Sequence, residues 1–424
     1  MTKEEDQDIL MEVIPSSPYA LATGETHIYI QLKLTGKEIE VEGARTNINL
    51  GVVLDRSGSM HGSKLQKAKE AVEFIVNNLS KEDIFGLTIY DHKIDTVIPS
   101  AKLTNRTTII NQLRSIRSRG RTNLHGGVVE AAKQVETAKH LEYRNVLLLL
   151  SDGLANEGIT DRERIRESVT DIYGGGIGIS TFGVGDDFDE DLLVNIADAA
   201  GGSFYFIETA DNIPKFIEQE FQGLLATAGY NIEVEWQTAD DVNIRKVLGV
   251  PYEDRLSVKT KMGDLRSGNE LLIILDVTIP PSESPEREAV SFNVKWIPRS
   301  GSTKPILTTI PCNITYTTDE SLLATEDDEV LENVYILEAA YTQYEAMEMA
   351  DRGDFSEAQR FMSVFQEKLG QHITQTGSIN LQRLQDQQSE ILRDVLSEEK
   401  YSKGARKKLR SSMYDLRKRR PRKT

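Results

Sequence analysis

Asp55, Ser57 and Ser59 stand at alternate positions in "GVVLDRSGSM" (residues 51–60), immediately after the apolar run Val52, Val53 and Leu54. Oxygen-bearing side chains at this spacing can cap a helix, attack an electrophile or hold a hard cation, and alternation lets all three point into one crevice. Two other loops carry the same kind of chemistry. "SRGRTNLHGGV" places Thr122 in a Gly- and Arg-flanked loop directly before a helical pattern, and "LLLLSDG" places Asp152 just past the most apolar run in the chain. Oxygen donors with no thiolate or imidazole among them suit Mg²⁺, which takes six oxygens in an octahedron and keeps several waters.

Those loops can meet only if the segments before them lie side by side. From 47 to 225, "NINLGVVL", "IFGLTIY", "NVLLLLS", "ISTFGVG" and "SFYFI" read as strands, and 63–79, 107–117, 124–138, 161–173, 189–200 and 211–225 as helices. The alternation predicts a parallel sheet with helices on both faces, and in such a sheet the ligand crevice lies outside the carboxyl ends of the strands. Asp55, Thr122 and Asp152 all fall at that edge. Ser63 and Asp189 are placed to cap the helices that follow them.

With all five positions in hand, Asp-x-Ser-x-Ser at Asp55, Ser57 and Ser59, then Thr122, then Asp152, the segment at about 47–225 closely resembles a von Willebrand factor A domain with an intact metal-ion-dependent adhesion site. The resemblance implies a doubly wound α/β fold and a Mg²⁺ site made of these five residues, with Mn²⁺ or Ca²⁺ as alternatives. It also implies that Asp55 and Asp152 act on the metal partly through water. Only two ligands are charged, so the ion stays electrophilic and accepts an Asp or Glu carboxylate from a protein partner. The expectation is a non-enzymatic, cytoplasmic protein-binding adaptor. Alternatives are an accessory subunit of an AAA+ ATPase of the MoxR type, which the flanking regions and the cytosolic prokaryotic members suggest, and a nucleic-acid-associated factor.

Other motifs are weaker. "LDRSGS" superficially resembles a phosphatase nucleophile loop, but Ser57 stands where a general acid would be needed. The acidic cluster Asp186, Asp187 and Asp189 reads as a helix cap, and "GGGIGIS" (174–180) ends a helix before a strand, the reverse of a phosphate cradle. His61 and His125 read as solvent-facing rim residues and Trp236 and Trp296 as core.

Outside the α/β segment the pattern changes. "NIEVEW" and "FNVKWIP" alternate apolar and polar residues as half-buried antiparallel strands do, and so does "HIYIQLKLTG" near the start. This predicts a β-sandwich built from 1–45 and 226–320, with the α/β domain (46–225) inserted between its parts. A helical bundle follows over 325–400, including a hairpin that turns at Gly353 and resembles a single tetratricopeptide-like unit. The formal charge is −17; the last segment, 401–424, holds eleven Lys or Arg and one Asp, so it is +10 and the first 400 residues carry −27. That basic arm is expected to dock in a protein groove through Leu409, Met413 and Leu416, or to bind nucleic acid. One cysteine, Cys312, excludes an internal disulfide framework, and no run of about 18 apolar residues exists to span a membrane. The charged start, "MTKEEDQDILMEV", is unlike a signal peptide.

Overall fold

The structure, a computed structural model, describes residues 8–38, 46–139, 143–299, 304–324, 326–394 and 396–418. The chain begins with three strands, β1 (Ile9–Pro15), β2 (Tyr19–Leu21) and β3 (Thr26–Gly36), and then enters an α/β unit. That unit runs β4 (Ile48–Asp55), α1 (Ser63–Asn78), β5 (Ile84–Tyr90), β6 (Ile94–Lys102), α2 (Arg106–Ser115), α3 (Leu124–Thr137), β7 (Arg144–Ser151), α4 (Arg162–Gly174), β8 (Ile177–Val184), α5 (Glu190–Ala199), β9 (Gly201–Ile207) and α6 (Ile213–Leu225). Its six-stranded sheet has the order β6-β5-β4-β7-β8-β9. Every pairing is parallel except β5 with β6. β6 was not foreseen from sequence: it is an edge strand, interrupted by Pro99, and its mixed exposure gives no apolar run to notice.

Every residue of β4, β5, β7 and β8 is buried, the expected consequence of helices on both faces. On one side α1 and α6 pack Leu65, Val72, Ile75, Ile217 and Phe221 against Leu50, Val52, Leu148 and Leu150. Helix starts follow local polar chemistry. Asn105, Asn123, Asp161 and Asp189 each accept a bond from the backbone N–H three residues on, opening α2, α3, α4 and α5. Ser63 does not cap α1 as the sequence suggested; Gly62 occupies the cap position without a side chain to offer, and Ser63 is already helical.

After the α/β unit come β10 (Thr227–Thr238), β11 (Asn243–Leu248), β12 (Lys259–Arg266), β13 (Glu270–Ile279), β14 (Glu286–Pro298) and β15 (Ile306–Thr317). With the first three strands they form two sheets, β1-β3-β13-β11 and β12-β10-β14-β15-β2. Ile28, Ile30, Leu32 and Leu34 from one sheet meet Ile232, Val234, Trp236, Phe292, Val294 and Trp296 from the other, so both tryptophans lie in the sandwich core. Four helices end the described chain: α7 (Asp328–Asp351), α8 (Phe355–Thr376), α9 (Ile379–Asp394) and α10 (Lys403–Arg417).

Packing divides the chain into two compact units, one formed by 38–231 with 297–305 and the other by 1–37, 232–296 and 306–424. The helices, read above as a domain of their own, thus share a unit with the sandwich. The reason is visible in β13, whose near-continuous run "LLIIL" needs cover on both faces. Leu272 and Ile274 turn away from the sandwich core and pack with Leu248 against Val330, Val334 and Leu337 of α7. Gln31 accepts from the buried Asn333 side chain at 2.7 Å across the same contact.

The basic arm is likewise part of this unit as far as it is described. Leu409 and Met413 of α10 are buried with Ala346, Met347 and Met362, and Leu416 packs beside Phe365 and Leu369. Arg406 reaches both Asp351 carboxylate oxygens at 3.0 and 2.9 Å, and Lys418 donates to the Met262 carbonyl at 3.0 Å. Residues 419–424, with the rest of the expected cationic cluster, lie outside the described residues. Leu409→Ala and Met413→Ala should each cost about 2–5 kcal/mol in denaturant unfolding of the full chain. Unchanged stability in both would mean that 403–417 is a solvated arm after all.

Candidate metal centre

β4 is the strand at which the sheet order turns, with β5 on one side and β7 on the other. Its last residue, Asp55, has no solvent exposure. Asp55 Oδ1 accepts the Ser57 N–H at 2.7 Å and Oδ2 accepts the Ser151 hydroxyl, from the end of β7, at 2.9 Å. The chain then passes through a short 3₁₀ turn, Gly58–Met60, pinned by the buried Met60 side chain. Ser57 Oγ lies 3.0 Å from Ser59 Oγ, and Ser59 donates to Asp152 Oδ1 at 2.7 Å. Asp152, one residue past β7 and also without exposure, receives Lys64 Nζ on its other oxygen at 2.6 Å.

Thr122 comes to the same place. It is 3% exposed and sits two residues before α3. Gly153 shows the convergence: a Cβ there would lie 3.4 Å from Thr122 Oγ1 and 3.5 Å from Ser59 Oγ. All five residues singled out from sequence therefore gather at one point, and the residue between their loops has no side chain to fill it. Two carboxylates and three hydroxyls form the donor set, matching a hard divalent cation. Among the described residues no group of three or more His, Cys, Asp or Glu is arranged to hold a metal.

Residues that the sequence reading passed over hold these loops in place. Arg56 places Nε 2.8 Å from the buried Asp91 and also pairs with Asp95; Arg119 Nε donates to Asp91 at 2.9 Å. Burial pushes the Asp91 carboxyl up, but the Lys93 N–H and the two guanidinium groups outweigh it and hold the pKa below its ordinary value. Backbone bonds repeat the tie: Arg119 N–H donates to Arg56 O at 2.7 Å and Gly58 N–H to Gly120 O at 3.1 Å. Gly120 has φ +75°, and a Cβ on it would meet His92 Nδ1 at 2.2 Å, so only glycine fits. Asn156 clips the other side, accepting the Thr122 N–H on Oδ1 at 2.9 Å while its own N–H donates to Thr122 O at 3.1 Å. The one available signal was composition: arginines in two of the converging loops and aspartates in "YDHKID" after β5.

The remaining candidates separate. Asp189 is the cap of α5 and pairs with Arg162, and the glycines at 174–176 close the turn from α4 into β8. His61 is exposed. His125 is not the solvent-facing residue expected: it is half-buried, its Nε2 is shut in without a hydrogen-bond partner, and burial with the nearby Arg164 charge pushes its pKa down.

Comparison with known proteins locates the α/β unit. Residues 49–219 match the family model for the von Willebrand factor type A domain. The Synechocystis protein sll0103 is 26% identical over 317 residues, covering 72% of this chain and 74% of its own. The Escherichia coli protein YfbK is 26% identical over 242 residues, 54% of this chain, and the chain spans only 42% of YfbK's length. Among solved structures, a von Willebrand factor type A protein from Catenulispora acidiphila shares the fold across 97% of this chain and 98% of its own, with TM-score 0.73 and 18% identity.

The electrostatics of Asp55 give a pH-dependent consequence. Burial pushes its carboxyl up to about 6; Ser57 and Ser151 pull it back, and the Asp152 charge adds to the rise. A carboxyl that binds its proton more tightly when folded destabilises the fold as it ionises, so stability is highest below pH ~4 and falls as pH rises through ~6. In chelator-treated protein, Asp55→Asn should therefore be more stable than the parent at pH 8, by up to about 3 kcal/mol, with the gap closing by pH 4. An equal gap at both pH values, read by denaturant unfolding, would dissociate it from the buried carboxylate.

Proposed function

We propose that the von Willebrand factor type A domain of this chain binds Mg²⁺ through Asp55, Ser57, Ser59, Thr122 and Asp152, and that the metal's open position takes an Asp or Glu carboxylate from a protein partner. The observation that carries the reading is the convergence of these oxygen donors on the space beside Gly153, at the carboxyl edge of the sheet where its order turns. When bound, the ion supplies Lewis acidity at the surface of the domain. The chain's own residues do the rest. Asp55 and Asp152 offset the metal charge, Ser57, Ser59 and Thr122 contribute neutral oxygens, and the Arg56–Asp91–Arg119 and Thr122–Asn156 ties hold the donors before any partner arrives.

The role is that of a binding scaffold, not of an enzyme. Ser57 occupies the position from which a phosphoryl-transfer site would need a proton donor, and its hydroxyl bonds to Ser59. Nucleic-acid binding through the basic arm draws less support, because the described part of the arm spends Arg406 on Asp351 and stacks Arg410 over the Tyr344 ring at 5.3 Å. No described helix is long and apolar enough to cross a membrane. A cytoplasmic location belongs to the same proposal, resting on the single cysteine.

Calorimetric titration of the full chain with Mg²⁺, followed by capture of partners from lysate in Mg²⁺ or in EDTA, tests the proposal. Asp55→Ala should lose metal binding and Thr122→Ala should weaken it by more than about tenfold. Both should lower the EDTA-sensitive fraction of captured protein in step. An Asp55→Ala chain that still binds Mg²⁺ and the same partners overturns the reading.

A further inference from the structure

Lys64 stands where local electrostatics argue against a cation. It is the second residue of α1, in the helix's first turn, where the backbone dipole presents positive charge and where acidic side chains are favoured. That turn holds no acidic residue. The lysine instead leans out of its helix and places Nζ 2.6 Å from Oδ2 of Asp152, a carboxylate with no solvent exposure, while its own side chain remains 26% exposed. Its path is fitted on the far side as well. Gly185, at φ +76°, passes so close that a Cβ there would lie 3.4 Å from Nζ and 3.6 Å from Cε.

We infer that Lys64 is a built-in competitor for the metal at Asp152, and that its retained charge makes the loaded site demand an anion. The inference rests on the metal reading above and goes beyond it. With Asp55 and Asp152 ionised and Lys64 charged, the site carries one net negative charge. A divalent ion then leaves it at +1, whereas the same five ligands without Lys64 would come out neutral. The lysine thus trades metal affinity for attraction of a carboxylate. The partial exposure of its side chain gives it room to swing aside, since the stem is flexible.

The test uses Mn²⁺ as the probe metal and acetate as the probe anion, on the full chain. Lys64→Met should bind Mn²⁺ about tenfold more tightly than the parent, since the competing charge within contact distance is gone. Lys64→Gln, which keeps a hydrogen-bond donor for Asp152 without the charge, should fall between the two and guards against misfolding of the apolar variant. In water-proton relaxation of the Mn²⁺-loaded chains, acetate should displace bound water from the parent at lower concentration than from either variant. A purely structural lysine would move metal affinity the other way. Unchanged or weaker Mn²⁺ binding in both variants overturns the competition, and equal acetate displacement overturns the demand for an anion. Failure of the parent to bind Mn²⁺, or its undiminished binding by Asp55→Ala, overturns the metal reading itself.

Discussion

Two carboxylates closed off from water at the ends of neighbouring strands are the constraint around which the α/β unit is organised. Asp55 and Asp152 each have no exposure, and the Asp152 charge adds to the electrostatic cost of ionising Asp55. A buried anion is tolerated only with donors or a cation beside it. Here every oxygen of the pair has a partner: the Ser57 N–H, the Ser151 and Ser59 hydroxyls, and the Lys64 ammonium. The sheet makes this strained pairing unavoidable, because β4 and β7 are adjacent, parallel and buried on both faces, so their carboxyl ends open at one place.

Rigidity around the pair comes from groups that do not join it. Asp91 is a further buried carboxylate, but it faces two guanidinium groups and a backbone N–H, and its charge is stabilised where that of Asp55 is not. One carboxylate therefore serves as a fixed post for the loops, while the charge of the other remains costly. The ion pair of Arg56 and the charge-assisted bond of Arg119, both to Asp91, draw the Ser57 and Thr122 loops towards each other. Asn156 joins the Thr122 loop to the Asp152 loop through side chain and backbone together.

The second unit obeys a simpler rule, that apolar surface must be covered. A sandwich of two sheets buries one face of each, and β13 would leave its other face bare without α7. The bundle then recruits α10, whose cations find Asp351 and the Tyr344 ring, while Lys418 just beyond it finds the Met262 carbonyl, all within the same unit. A segment that is strongly basic in composition is thereby made structural over its described length.

The sequence by itself determined the order of strands and helices in the α/β unit apart from β6, its insertion between two strand-rich segments, and the five oxygen-bearing residues that the fold brings to one place. These were legible because their signals are local: apolar runs mark doubly buried strands, alternation marks half-buried ones, and a Ser or Asp at a strand end must serve a loop. What tertiary structure alone decided was pairing between distant segments. Lys64 reads as one more lysine on an amphipathic helix until β7 brings Asp152 beside it, and Arg56, Arg119 and Asn156 read as loop residues until the loops meet. β6 escaped notice because an edge strand need not be apolar, His125 turned out half-buried, and the helices merged with the sandwich through a β13 face whose partner lies more than fifty residues away. Local pattern fixes which faces a segment must bury, but the partner that buries them, and the charge that answers a buried charge, exist only once the chain has folded.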